Sequence, residues 1–570
     1  MKRLLSCFKG HGFQVILAPT FKLLEAILEL FIPLIVASII NDGIAANDKM
    51  HIVYMFIIMF LCGFIGLAFS IVGQYFSAKS AVRASTKLRY ELFEHLQNLT
   101  FSDIDKLGTS SMITRMTNDI NQIQTGVNLT LRLFLRSPFV VFGAAIFASV
   151  VCPSMAYIFW ITIPVLSVVI FGIILITLPL HKKVQKRLDN VLKQTRENLT
   201  GTRVIRAFTS EDEEIDEYFE NTKQLEKSQN KVTSISNLMN PLTYIIINVA
   251  IIILIYVGAI RVESGLILQG TVIALYNYMS QILVELIKFA NLIVTITKSL
   301  ASLRRVESIL NIDSKVDVIC DNNIYNNSYI SYDNVSMKYY EDSEYALTNI
   351  TFNVNKGDTI GVIGGTGSGK TTLINLLTRY YKYNKGNIYL EGRKIESYTP
   401  NELNEKIGIV LQKAVLFKGT IKDNISFGKN ITDEDIYKAC DISMCLDVVK
   451  SKQDGINSVV EQHGRNFSGG QRQRLSIARV IARKPEILIL DDSSSALDFQ
   501  TEAKLRKNIM NLDYKPTTFI ISQRTSSIQH ATKILVLDDG NLVGVGTHEE
   551  LLLNCDVYRE IYESQFKKED

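Results

Sequence analysis

Six apolar segments, near 15–40, 52–78, 128–152, 155–180, 241–261 and 265–292, constrain this chain more than any other feature. A bilayer core about 30 Å thick needs about 20 consecutive apolar residues for a helix to cross it. With six of them, the chain has at least one unit that lies in a membrane. An even number of crossings returns both termini to one side. Lys2, Arg3 and Lys9 at the start, and "LHKKVQKRL" at 180–188 after the fourth segment, mark that side as cytoplasmic. The outer connections, "NDGIAANDKM", "VCPSM" and "RVESGLILQG", are short and carry few positive charges. The basic opening "MKRLLSCFKG" is followed by no small-residue cleavage pattern, so it reads as the lead into a retained first span.

Two polar stretches of roughly 50–60 residues, after the second and fourth spans, keep helical periodicity with hardly any Gly or Pro, as in "AVRASTKLRYELFEHLQNL". They read as membrane helices continuing about 30 Å into the cytoplasm. After Ile309 the polar, Asn-rich "NIDSKVDVICDNNIYNNS" has no period and reads as a linker at about 311–329. From "YISYDNVSMKYY" onward, β-branched runs alternate with helical stretches, the pattern of an α/β domain with a substantially parallel sheet. The expected organisation is a six-span α-helical domain at 1–310, the linker, and an α/β nucleotide-type domain at 330–570. A net charge of +4 spread over 570 residues argues against a nucleic-acid partner. The seven scattered cysteines have neither CxxC nor His spacing for zinc and read as reduced thiols.

"GVIGGTGSGKTT" follows an apolar strand and opens the helical "TTLINLLTRYY", the setting a phosphate loop requires. Gly364, Gly367 and Gly369 let backbone N–H groups converge on phosphates, and the helix N-terminus adds partial positive charge. Gly365, Thr366, Ser368 and Thr372 complete the loop around the nucleotide. Lys370 is expected to reach the terminal phosphates and Thr371 to ligate Mg²⁺, so ATP and Mg²⁺ are the expected cofactors.

Four further segments make a specific resemblance. "NFSGGQRQRLSIARVIARKPEILILDD" resembles the signature, helix and Walker B strand of ATP-binding-cassette (ABC) proteins, and "IGIVLQ" resembles their Q-loop. Six spans before one cassette resemble the half-transporter organisation of ABC exporters. "FSDIDKLGTSSMITRMTNDI" and "ENLTGTRVIRAFTSEDEE" resemble that family's intracellular loops, which implies short coupling helices near 101–107 and 206–214. The resemblance further implies that Gln412 and Asp491 complete the Mg²⁺ shell with Thr371. It implies that Ser468, Gly469, Gly470 and Gln471 of the signature face the γ-phosphate held by an opposite cassette, and that Ser495 and Asp498 of "SSALD" face that partner. Read physically, Tyr339 in "VSMKYY" offers a ring on which adenine can stack, or is a half-buried strand tyrosine. Ser468 to Gly470 stand before an amphipathic helix, where N–H groups meet an anion.

Two positions depart from the family pattern. Where the family has a water-polarising glutamate after the Walker B aspartate, this chain has Asp492, one methylene shorter; where it has a switch histidine, this chain has Gln523. Glutamine donates a hydrogen bond and carries neither proton nor charge near pH 7. Spoiled catalytic residues beside an intact "FSGGQ" resemble one half of a heterodimeric exporter, with a poorly hydrolysing ATP site of its own and a signature lent to a second half-transporter. The expected cargo is a drug or other amphiphile, with lipid or peptide also compatible. An ATP sensor or gated pore is the other function class. Lys22, Glu25 and Glu29 share one face of the first span and either line a cavity or form a structural pair near the membrane surface. Pro33 is expected to kink that span, and Pro241 to mark entry to the fifth. Tyr244, Tyr256, Tyr276 and Tyr278 are expected either along an amphiphile cavity or as interfacial anchors in contact with lipid. The Lys-, Asn- and Ile-rich composition points to a bacterial cytoplasmic membrane.

Overall fold

The computed structural model describes residues 2–313, 318–319, 323–325, 327–493 and 497–566. The chain divides into two compact units, one of residues 1–97 and 109–312, the other of 98–108 and 313–570. Its helices begin with α1 (Lys2–Cys7), α2 (Gly12–Ser38), α3 (Lys49–Gln97), α4 (Phe101–Leu107), α5 (Thr109–Thr114), α6 (Ile120–Leu133) and α7 (Arg136–Val151). They continue as α8 (Ala156–Ala207), α9 (Glu211–Asn237), α10 (Met239–Glu263) and α11 (Gln269–Leu310). All but α4 belong to the first unit.

Among the described residues six helical segments are long and apolar enough to cross a membrane: Gly12–Ile44, Lys49–Gln97, Thr109–Val151, Pro153–Ala207, Glu211–Glu263 and Gln269–Leu310. The number agrees with the sequence. At 49 residues α3 is about 70 Å long, more than twice a bilayer core, so its polar half continues beyond the lipid. The apolar window of α3 is 0% buried, which leaves its side chains to the lipid tails.

Local chemistry explains where the helices break. The third span is not one helix: residues 134–135 form a turn between α6 and α7. Pro138 lacks an N–H, and its ring clashes with the carbonyl four residues back, at Phe134. Pro241 falls in the first turn of α10, where a missing N–H costs nothing. Pro33 instead lies buried inside an unbroken α2, which loosens only in a π turn at Ile39–Ile44. The expected short helix near 206–214 is absent. Helix α8 runs to Ala207, Thr209 turns the chain with φ 54°, and α9 opens with four acidic residues at its positive N-terminal end.

Beyond the Lys22–Glu25 pair on its own face, α2 finds charge partners on other helices that the sequence did not reveal. Lys22 pairs with Glu25 at 2.6 Å and donates to Ser70 of α3 at 2.9 Å. Glu29 is held by Arg136 of α7 at 2.6 Å, and Arg136 also pairs with Glu285 of α11 at 2.7 Å. Glu285 further accepts from Ser137 at 2.8 Å and Lys288 at 2.7 Å. The result is an alternating chain, Glu29–Arg136–Glu285–Lys288, that ties α2, α7 and α11 together. Charges at membrane depth are tolerated only when matched in this way. Tyr278, expected on a cavity wall or at an interface, is fully buried and donates to the Leu30 carbonyl at 2.7 Å. Tyr244, Tyr256 and Tyr276 are exposed within the first unit.

The second unit contains β1 (Ile330–Met337), β2 (Leu347–Val354), β3 (Thr359–Gly364), α12 (Lys370–Leu377), β4 (Lys385–Leu390), β5 (Arg393–Lys394), α13 (Pro400–Lys406) and β6 (Ile407–Val410). Then follow β7 (Gly419–Thr420), α14 (Ile421–Ser426), α15 (Asp433–Ile442), α16 (Leu446–Lys450), β8 (Val459–Val460), α17 (Gly469–Ile481), β9 (Ile487–Asp491) and α18 (Phe499–Met510). It closes with β10 (Thr517–Ile521), α19 (Thr525–Ile528), β11 (Lys533–Asp538), β12 (Asn541–Gly546), α20 (His548–Asn554) and α21 (Asp556–Phe566).

The central sheet runs β12-β11-β3-β10-β9-β6, parallel from β11 to β6. The all-buried "ILILD" of β9 is what a strand covered on both faces requires. A second, antiparallel sheet of order β2-β1-β4-β5 was not foreseen; bulges in β1 group its buried residues in two runs around exposed Asp333 and Asn334, which removes the period-two signal.

Helix α4 folds with this unit. Thr100 caps it by accepting from the Asp103 N–H at 3.2 Å, Asp103 and Lys106 match its dipole, and Gly108 ends it at φ 72°. Phe101 stacks on Tyr380 with ring centroids 4.0 Å apart, and Tyr381 donates its hydroxyl hydrogen to Asp105. The short helix expected at 101–107 therefore exists and rests on the tyrosines that follow α12.

Candidate functional site

The phosphate loop joins β3 to α12, both set in the core by Ile360, Val362, Leu373, Ile374 and Leu377. Gly369 is the last loop residue and has φ 97°; a Cβ there would lie 2.6 Å from Leu347 Cδ2 and 2.8 Å from the Ala346 carbonyl. No other residue fits that turn. The Lys370 ammonium donates to the carbonyls of Gly364 at 2.9 Å and Gly365 at 2.5 Å, which holds the side chain along the loop. Burial pulls its pKa below the ordinary lysine value, against the upward pull of Asp492 and Asp491.

Thr371, one residue on, meets Asp491 from the end of β9. Its hydroxyl lies 3.4 Å from both carboxylate oxygens, so the two side chains expected around Mg²⁺ converge. The donor set is all oxygen, as a hard divalent cation prefers. Burial pushes the Asp491 carboxyl up, and the neighbouring charge of Asp492 adds to it; Thr371 and Lys370 act the other way. A cation between Thr371 and Asp491 would supply the positive charge that this buried carboxylate lacks.

Asp492 begins the loop after β9, with its N–H donating to the Ile521 carbonyl at 3.0 Å. Its φ of 44° is left-handed, a region that aspartate enters several-fold more readily than most residues. Gln412, in the loop after β6, donates from Nε2 to Asp492 Oδ2 at 3.2 Å. Burial raises the Asp492 carboxyl, while Gln412, Arg524 and Lys370 lower it. Gln523 stands exposed between β10 and α19, and β10 is the parallel neighbour of both β3 and β9. The parallel sheet therefore places phosphate loop, Walker B acids and switch at one end, the carboxyl ends of its strands, where such sheets bind ligands.

Tyr339 follows β1, and its hydroxyl shares a 2.8 Å hydrogen bond with Thr372 of α12. Its ring meets Tyr381 edge-on at 5.0 Å, and Tyr381 is the residue bound to Asp105 of α4. Tyr380 and Tyr381 belong to "TRYYKYNKG", whose density of tyrosine is the one local sign of this contact.

The signature forms the N-terminus of α17. Ser468 Oγ accepts from the Gln471 N–H at 3.3 Å, and Gln471 Oε1 accepts from the Ser468 N–H at 2.9 Å, a reciprocal cap. Gly469 is exposed, and a Cβ built on it would meet nothing within 4 Å. Asp498 caps α18, accepting from the Thr501 N–H at 2.9 Å and its hydroxyl at 2.8 Å. Ser495 lies outside the described residues.

Removing the Lys370 charge is expected to have a sharp effect. Lys370→Ala should weaken ATP binding at this loop at least tenfold in a direct titration, since a charge-assisted contact to phosphate is worth about 1.5–3 kcal/mol.

Comparison with known proteins agrees with this geometry. Residues 15–286 match the family of the ABC transporter transmembrane region, and residues 347–495 the ABC transporter family. The chain is 34% identical over 573 residues to an uncharacterised ABC transporter ATP-binding protein, YfiB, of Bacillus subtilis, covering 100% of this chain and 99% of the relative. It is 28% identical over 590 residues to the putative multidrug export ATP-binding/permease protein YgaD of the same organism, covering 100% and 98%. A bacterial Atm1-family ABC exporter with ATP bound shares the fold, with TM-score 0.80 and 21% identity over 100% of this chain and 99% of that one. With a six-span membrane unit and one ATP-binding cassette on a single polypeptide, this chain belongs to the ABC transporter family.

Proposed function

We propose that this chain is one half of a heterodimeric ATP-driven exporter, that its own site holds MgATP and turns it over poorly, and that its signature serves the partner's site. The observation that carries the reading is the pair Asp492 and Gln523 at the carboxyl end of an otherwise complete site. Aspartate reaches about 1.5 Å less than glutamate, and a misplacement of about 1 Å can cost about 100-fold in rate. Gln412 also claims one Asp492 oxygen, which competes with any hold on water. Gln523 offers an amide hydrogen bond to a terminal phosphate and no charge.

Each remaining group keeps a binding role. The loop N–H groups and Lys370 grip the phosphates, and the Tyr339 ring flanks the adenine. Thr371 and Asp491, with Gln412, are the residues that would hold Mg²⁺. When bound, that ion offsets the charge on the β- and γ-phosphate oxygens. ATP held between two cassettes keeps them closed, and their closure drives the change from inward-facing to outward-facing cavities. The relative named for multidrug export supports an amphiphilic cargo. Basic residues before the first span support cytoplasmic termini in a bacterial cell membrane.

ATPase measurements on the purified chain, alone and co-assembled with a half-transporter carrying Glu and His at the two altered positions, test this division. Alone, the chain should stay well below an ordinary turnover of about 1–10 per second; the assembled pair should reach it. Full activity from the chain alone would make it a homodimer with two working sites.

A further inference from the structure

The switch segment Ser522–Arg524 is short, leaves β10 and enters α19 within three residues, and carries the exposed Gln523. Its backbone is not held by the sheet beyond Ser522, whose N–H donates to the Val362 carbonyl at 3.1 Å. Within the segment the Arg524 N–H donates to Ser522 Oγ at 3.0 Å, and a further restraint on either side of Arg524 comes from the last described helix of the chain. Gln565 of α21 donates from Nε2 to the Gln523 carbonyl at 2.7 Å. Its Oε1 accepts from the Thr525 N–H at 2.9 Å and from the Thr525 hydroxyl at 3.0 Å. The orientation of this amide is fixed by its partners, because a carbonyl can only accept and a backbone N–H can only donate. One side chain thus spans the switch on both sides of Arg524.

Both ends of this bridge are anchored. Thr525 is fully buried, and Tyr558 of α21 is fully buried in a cluster with Ile363, Ile528 and Val536, with its hydroxyl 2.7 Å from His548 Nδ1. Gln565 itself is exposed and packs no core. Its amide makes its hydrogen bonds to the switch, at the Gln523 carbonyl and at Thr525.

We propose that Gln565 is a positioning residue for the ATP site: it holds the Gln523 carbonyl and the Thr525 N–H so that the Gln523 side chain is presented to the terminal phosphate, and α21 thereby controls how strongly this site distinguishes ATP from ADP. The inference rests on the reading of Gln523 as the residue that faces that phosphate. Loosening the switch leaves adenine, ribose and the first two phosphates untouched. The loss is confined to the one contact that ADP lacks.

The experiment compares MgATP and MgADP binding to the purified full-length chain in lipid nanodiscs, with hydrogen exchange at the Thr525 amide measured in parallel. Gln565→Met keeps the length and removes both hydrogen-bonding groups; Gln565→Glu keeps the acceptor and sets a carboxylate oxygen against the Gln523 carbonyl. Each is expected to weaken ATP binding about fivefold and to leave ADP binding unchanged, since one hydrogen bond is at stake. Thr525 should exchange faster in Gln565→Met and stay protected in Gln565→Glu. A purely structural role would move ATP and ADP together. Gln523→Ala separates the two possible failures. If it lowers ATP affinity selectively while Gln565→Met does not, the clamp is wrong; if it leaves the ATP to ADP ratio unchanged, the reading of Gln523 is wrong. Unchanged Thr525 exchange in Gln565→Met would overturn the clamp whatever the nucleotide data show.

Discussion

Placing an acidic side chain in the signature, Gly469→Asp, should cut ATP turnover of the assembled transporter about 100- to 1000-fold, while Asp492→Asn should change it less than about twofold. The two residues test opposite sites. In the proposed dimer the N–H groups at the start of α17 face the γ-phosphate of the partner's nucleotide, and donors aimed at developing charge are worth about 3–4 kcal/mol. Gly469 is the cleaner probe. A Cβ there meets nothing within 4 Å, so the substitution starts without a clash inside this chain, and the loss is expected across the interface. Ser468→Ala should also lower turnover, but Ser468 caps α17, and loss of a cap costs about 1 kcal/mol of helix stability by itself. Steady-state ATPase of the purified pair decides the matter. If Asp492→Asn abolishes hydrolysis and Gly469→Asp leaves it intact, this chain's own site is the working one.

Restoring both altered positions should convert the slow site into a second hydrolysing one. With a partner whose own base is removed and whose signature is intact, the double change Asp492→Glu and Gln523→His should raise single-site turnover at least tenfold above the unaltered chain, as general-base catalysis contributes about 100- to 10,000-fold. Either change alone should recover less. The glutamate must take up the left-handed backbone seen at Asp492, at a cost of about 1–2 kcal/mol for most residues, so the double variant should also unfold at a somewhat lower temperature. No gain in turnover from the double change would place the defect elsewhere than in these two side chains.

How much of this was legible beforehand depends on the range of each signal. The six spans are written in runs of some twenty apolar neighbours, and the phosphate loop in glycines and a lysine within seven residues, so both were visible without a fold. The short helix at 101–107 was implied by the family resemblance of "FSDIDKLGTSSMITRMTNDI", and Thr100, Asp103 and Gly108 are the local caps that hold it. The antiparallel sheet did not, because bulges in β1 disturb its period and its partners come from separate strands. The break at residues 134–135 was missed although Pro138 marks it, because apolar character alone continued through the turn.

The sequence by itself determined the membrane unit and the cassette, and named the candidate residues of the ATP site, including the two that depart from the family. Only the tertiary structure decided what those residues touch. Arg136 joins Glu29 and Glu285 across 107 and 149 residues, Tyr381 reaches Asp105 across 276, and Gln565 spans the switch from 40 and 42 residues away. No local pattern records such pairs. The Arg136 pairs form because burial leaves a charge in need of a partner, and the others because folding brings a donor and an acceptor from distant segments within hydrogen-bond reach.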